Sequence, residues 1–185
     1  MPPDRKQLGA FYTPDSLVAT VVDAAVTQEF LDARRGRVVR VLDPACGDGR
    51  FLAAVAARVR ALDGSAELYG VDIDPTAVAF ARSNVRGATI ELGDALTRAW
   101  SSERFDLVIG NPPFLSQLSE RTTRGGARRR GGGPYADVAA EFLALGAVLV
   151  EPGGGRLAFV LPQSMLAWRD AGPVRALIDA RAAMV

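Results

Sequence analysis

Histidine is absent from the 185 residues of this chain, and cysteine occurs once, at Cys46. No Ser/His or Cys/His nucleophilic pair can be built, the commonest metal ligand is missing, and general-base chemistry through imidazole is excluded. A lone cysteine allows neither a disulfide framework nor a zinc cluster, which suits a reducing compartment. Lysine is nearly absent as well: Lys6 is the only one, so the cations are almost all arginine, and the formal charge is +1. Such a balance neither favours nor excludes a polyanionic partner. There is no signal peptide and no apolar run of membrane-spanning length, so the sequence reads as a soluble cytoplasmic protein.

What is present is an apolar fraction of 49%, enough for a real core in one domain spanning residues 1–185. Residues 1–10 are polar and loose. FYTPDSLVATVVDAAV then reads as an extended Tyr-Thr-Pro entry and a helix from Asp15, with Pro14 at its start. RVVRVLD (37–43) predicts a strand, PACGDG a turn and FLAAVAARVRAL a helix. AELYGVDI (66–73) predicts a second strand, followed by a helix from Pro75 to Asn84. ATIEL (88–92) and FDLVIG (105–110) are the third and fourth strands. A helix over 137–150, a Pro-Gly-Gly-Gly turn, the strand RLAFVLP (156–162) and a short helix from Pro173 to Ala183 complete the pattern, with no clear sixth or seventh strand. Alternation of this kind predicts an α/β fold, a Rossmann-like doubly wound and mostly parallel sheet, with ligands at the carboxyl ends of the strands.

The candidate motifs all fall at such ends. The turn Asp43-Pro44-Ala45-Cys46-Gly47-Asp48-Gly49 follows the first strand and opens a helix. Gly47 and Gly49 would let the backbone approach a ligand. The three-glycine dinucleotide fingerprint is missing, and two carboxylates stand where a pyrophosphate would lie. Negative charge suits a cofactor carrying cations, and S-adenosylmethionine has an ammonium and a sulfonium. Asp72, at the tip of the second strand, can accept from both hydroxyls of a ribose, Ile73 can pack on an adenine face, and Asp94 can accept from an adenine amine. Each aspartate alone could be a helix cap or turn residue; three at successive strand ends shift the reading towards a site. Cys46 reads as a small, partly buried turn residue.

Asn111-Pro112-Pro113-Phe114 follows the fourth strand. The Asn111 side-chain oxygen and the Pro112 carbonyl are both acceptors and can take the two protons of an exocyclic amine, leaving its lone pair free to attack. Phe114 can stack on the ring that carries the amine, as enzymes acting on flipped bases do. Asn-Pro is also a common turn starter.

Together these strings resemble the class I S-adenosylmethionine-dependent methyltransferases, specifically the amino-methylating DNA adenine methyltransferases in which the cofactor motif precedes the catalytic one. FYTP (11–14), DPACGDGRFL, GVDIDP, GDAL and NPPF match that family's motifs in order over nearly the whole chain. NPPF alone is shared with relatives that methylate glutamine amides or RNA bases. The resemblance implies that Tyr12, Thr13, Asp43, Ala45, Cys46, Gly47, Asp72, Ile73, Asp94 and Ala95 line the S-adenosylmethionine site. It further implies that Asn111, Pro112, Pro113 and Phe114 hold a flipped adenine of double-stranded DNA, and that no metal is needed. The family's sheet is completed by two further strands, and a target-recognition domain usually follows. Neither is read here, so the expectation is a fragment, a split enzyme or a truncated chain; the alternative is that a partner chain supplies the rest. A cofactor-binding piece without turnover is the other outcome.

The stretch at 116–134 reads as a flexible Arg/Gly loop. Arg121, Arg124, Arg128, Arg129 and Arg130 within it are positioned to neutralise DNA phosphates. The alternative is an insertion whose arginines touch nothing.

Overall fold

The computed structural model of the chain describes residues 13–113 and 138–161. The first ten residues, the stretch read as an Arg/Gly loop and the tail helix expected at 173–183 lie outside the described residues. Two helices come first, α1 (Asp15–Ala25) and α2 (Gln28–Asp32), followed by β1 (Val39–Asp43), α3 (Arg50–Ala61), β2 (Ala66–Asp72), α4 (Pro75–Asn84) and β3 (Thr89–Leu92). After these come β4 (Leu107–Gly110), α5 (Val138–Leu149) and β5 (Arg156–Phe159). The strands form one sheet in the order β3-β2-β1-β4-β5, and every adjacent pair is parallel. This is the doubly wound α/β arrangement that the alternating pattern predicts.

Strand periodicity sorts the core into two layers, because successive side chains leave opposite faces of a sheet. Val39 and Val41 of β1, with Leu107 and Ile109 of β4, pack with Val18 and Val22 of α1 and with Phe51, Leu52, Val55 and Val59 of α3. Leu42 and Val108 point the other way, into a cluster with Phe142, Leu145 and Leu149 of α5. In α3 the buried residues recur at helical spacing, so the helix turns one apolar stripe to the sheet. α4 matches its expected ends because both signals are local. Asp74 caps it by accepting from the Thr76 N–H at 2.8 Å, and Pro75 occupies the first turn.

The elements differ from the sequence reading in several places. α2 was not anticipated. It has five residues, too few to show periodicity, and rests on Thr27 accepting from the Phe30 N–H at 3.2 Å. β1 starts at Val39 rather than 37, and β4 at Leu107 rather than 105. The residues cut from β4 serve the lower end of the sheet: Phe105 makes an isolated bridge to Val150, and Asp106 turns a carboxylate inward.

That carboxylate ties four segments together. Asp106 Oδ1 accepts from Arg34 Nε at 3.2 Å and Arg37 Nη2 at 2.8 Å, while Oδ2 accepts from the Arg40 N–H at 2.9 Å. Arg34 also donates to the carbonyls of Phe30 at 2.6 Å and Gly154 at 2.7 Å. Both partners of the Arg34–Asp106 pair are buried, so removing one leaves the other charge without compensation. β5 is the last strand of the sheet among the described residues. Its faces are not bare: Leu157 and Phe159 pack into the α5 cluster, and Arg156 Nη1 donates to the Ala25 carbonyl of α1 at 2.9 Å. Asp106→Ala is expected to lower the unfolding free energy by about 3 kcal/mol, read from urea denaturation; a loss below about 1 kcal/mol would show that the knot is dispensable.

Candidate active site

The strand order reverses between β1 and β4, and in open parallel sheets the crevice outside such a reversal receives ligands. Asp43 ends β1 and Asn111 follows the last residue of β4, so the two lie at adjacent tips. Gly110 sets how close they come. A Cβ on Gly110 would stand 2.5 Å from Asp43 Oδ1, so only a residue without one lets β4 finish against this carboxyl. Asp43 is buried, with Oδ1 accepting from the Ala45 N–H at 3.1 Å. Burial pushes its pKa from 3.8 up to about 8; the Ala45 N–H opposes the shift, and the charges of Asp72 and Asp48 add to it.

The loop after β1 is held by the neighbouring strand. The Cys46 N–H donates to the Val71 carbonyl at 3.0 Å, and the Gly47 N–H donates to Asp72 Oδ2 at 2.7 Å. Asp72 Oδ1 accepts from the Asp74 N–H at 2.9 Å. Each carboxylate oxygen therefore keeps lone-pair capacity beyond these bonds. Burial raises the pKa of Asp72, against the pull of the Asp74 and Gly47 N–H groups.

The two glycines of the loop divide their work differently from the expectation that both admit a ligand. Gly47 has a left-handed φ of 54° and open space where a Cβ would be. Gly49, at φ 83°, caps α3, and its Cβ would meet Val85 Cγ2 at 2.7 Å and Ala81 at 3.2 Å. Its small size therefore serves the packing of α3 on the end of α4.

Cys46 is a fully buried core residue rather than a partly buried one. Its Sγ would be 2.9 Å from a Cβ on Gly70, and burial raises its thiol pKa, which makes it inert as a nucleophile. Asp94 forms a local turn, Oδ1 accepting from the Leu96 N–H at 2.9 Å. Ala95 is buried in the α5-side cluster, and its carbonyl accepts from Trp100 Nε1 at 2.8 Å. Ile73, by contrast, is 46% exposed, an apolar side chain open to solvent at the β2 tip. Tyr12, Phe114 and the arginines at 121, 124, 128, 129 and 130 lie outside the described residues.

Sequence reasoning missed the links that draw the amino-terminal segment into the site. Asn111 Nδ2 donates to Thr13 Oγ1 at 2.8 Å, bridging residues 98 positions apart. Arg50, the first residue of α3, donates through Nη1 to the Thr13 carbonyl at 2.7 Å and through Nε to Asp48 Oδ1 at 3.0 Å. The hydrogen bond from Arg50 holds the Asp48 carboxyl below its ordinary pKa. Asn84 Nδ2 adds a bond to the Asp48 carbonyl at 3.0 Å. The one available clue was position: Arg50 directly follows the glycine loop. Asn111 Oδ1 is buried and has no hydrogen-bond partner among the described residues.

The model of the N-6 DNA methylase family matches residues 2–178. The chain belongs to that family. A Type II methyltransferase, M.CvrRI, of Paramecium bursaria Chlorella virus XZ-6E is 30% identical over 115 residues, covering 62% of this chain and 26% of the viral protein. A release factor glutamine methyltransferase of Bordetella pertussis is 28% identical over 185 residues, covering 94% of this chain and 66% of the other. Among solved structures, a Listeria monocytogenes protein assigned to the class I S-adenosylmethionine-dependent methyltransferases superposes with a TM-score of 0.74 at 24% identity, over 94% of this chain and 53% of that one. The fold is therefore that of the class I methyltransferases. The chain spans between about a quarter and two thirds of the length of these curated relatives. No helix among the described residues is long and apolar enough to cross a membrane.

The buried Asp43 has a pH signature. Its folded pKa lies above the unfolded value, so its contribution to stability is complete below pH 3.8 and is lost as pH rises through about 8. Comparing wild type with Asp43→Asn by urea unfolding across that window should show the wild type losing stability relative to the variant as pH increases. A difference that stays constant with pH would refute the buried, protonated carboxyl.

Proposed function

We propose that this chain is the catalytic core of an adenine-specific DNA methyltransferase, of the restriction-modification or phage-defence kind. It would transfer a methyl group from S-adenosylmethionine to the exocyclic amine of adenine. The observation that carries the reading is the Asn111 amide, whose buried Oδ1 has no partner among the described residues while its nitrogen is already engaged. A buried acceptor left open at a ligand crevice calls for a donor from outside the chain. An amine supplies one.

The bound cofactor supplies an activated methyl on a sulfonium. The tasks left to the protein are binding and alignment. A buried carboxyl such as Asp43 is costly to ionise alone, and a cation beside it favours the charged form; this is the electrostatic complement of a cofactor bearing an ammonium. Asp72, with lone pairs to spare at the β2 tip, suits the ribose hydroxyls, and the exposed Ile73 suits the adenine face. Thr13, Ala45, Gly47, Asp94 and Ala95 belong to the motif segments around that cofactor, with Tyr12 alongside. Asn111 Oδ1 and the Pro112 carbonyl would accept hydrogen bonds from the two N–H groups of the amine, which leaves the nitrogen lone pair in line with the methyl. Phe114 would stack on the flipped base. Positioning of this type requires no covalent intermediate and no imidazole.

The likeness to a glutamine methyltransferase over 94% of the chain favours a second reading, in which the amine is a protein amide. Methyl transfer by the full-length protein into adenine-containing DNA and into a glutamine-bearing protein, measured side by side, separates the two. Incorporation into protein alone would exclude DNA.

Asn111→Ala is expected to lower the single-turnover rate by about 100-fold or more while cofactor affinity stays within about threefold. Asp72→Ala should do the converse and weaken cofactor binding about 10- to 100-fold. Equal loss of both properties in either variant would refute the assigned roles. If the arginines of the Arg/Gly loop neutralise phosphates, replacing Arg128, Arg129 and Arg130 by alanine should reduce the slope of log affinity for DNA against log salt by about 3. An unchanged slope would show that they do not touch the backbone.

A further inference from the structure

An amide has two ends of nearly equal size and opposite chemistry, and half a turn about the last torsion exchanges acceptor for donor. If Asn111 is to accept from the target amine, that half-turn must be prevented, because an amide N–H facing an amine N–H holds nothing. A group inside the protein has to claim the amide nitrogen.

We infer that Thr13 is that group, a positioning residue whose hydroxyl takes the Asn111 Nδ2 proton and so reserves Oδ1 for the substrate. The inference rests on Asn111 being the group that accepts the target amine. Nδ2 and Oγ1 are 2.8 Å apart, Thr13 is 5% exposed, and the Asn111 oxygen is the end without a partner among the described residues. The hydroxyl is itself held in place. Arg50 grips the Thr13 carbonyl at 2.7 Å while bonded to Asp48 of the glycine loop, so the backbone carrying Thr13 is tied to the start of α3. The amide therefore takes its orientation from the wall of the cofactor loop, and the amino-terminal segment works on the substrate side as well as the cofactor side.

The test uses the full-length protein and single-turnover methylation of adenine-containing DNA at saturating S-adenosylmethionine. Thr13→Val keeps the shape and removes the hydroxyl; it is expected to reduce the rate about 10- to 100-fold. Thr13→Ser is expected to recover most of that loss. A deficit that disappears as cofactor concentration is raised would assign Thr13 to the cofactor alone and overturn the inference, as would an unchanged rate or a serine variant no better than valine. A second readout does not depend on the substrate or on the folding of the valine variant. In the wild-type protein the side-chain amide protons of Asn111, assigned by their loss in Asn111→Asp, should exchange unequally with solvent, one being held by Thr13. Equal and rapid exchange of both would overturn the orientation. If the wild type methylates no adenine, the proposed function fails, and the exchange measurement still decides whether Thr13 holds the amide.

Discussion

The contact between the end of β4 and the Asp43 carboxyl organises the upper surface of the molecule. A parallel sheet brings β1 and β4 side by side at the point where strand order reverses, and Gly110 lets the two tips meet with no Cβ between them. A carboxyl whose pKa is raised by burial and an amide oxygen with no hydrogen-bond partner among the described residues are thus placed in one crevice. Burial gives both groups their chemical character. In water either would be satisfied by solvent.

The lower end of the sheet is built in the opposite way. Around Asp106 the polar capacity is spent internally, on two arginines and a backbone N–H, and Arg34 in turn satisfies two carbonyls. A buried polar network whose groups are all paired fixes the fold, whereas the Asn111 oxygen, without a partner among the described residues, is the atom that the proposed function gives to the substrate.

The amino-terminal segment has a part in both. Thr13 and Asp15 flank the entry to α1, and Arg50 reaches both, at 2.7 Å to the Thr13 carbonyl and 3.6 Å to the Asp15 carboxylate. Asp48, Arg50, Thr13 and Asn111 form a continuous hydrogen-bonded path from the glycine loop to the amide at the β4 tip. If Asn111 holds the target amine as proposed, such a path matters because a small displacement of the amide changes the angle of attack.

Much of this was legible in the linear chain. The strand and helix alternation, the glycine loop after β1, the aspartates at the tips of β1 and β2 and the Asn-Pro-Pro string after β4 rest on local signals: side-chain periodicity, turn chemistry and caps. Such signals survive in one dimension because each depends on residues within a few positions of one another. What the linear order could not disclose are the long-range facts: that Gly49 is small for the sake of Val85, that Cys46 lies against Gly70 in the core, that Asp106 gathers three arginine residues and that Thr13 holds Asn111. Each of these is a distance between residues tens of positions apart. Only packing the helices onto an open parallel sheet brings them together, and only the loss of water around them gives their polar atoms an energetic reason to choose particular partners.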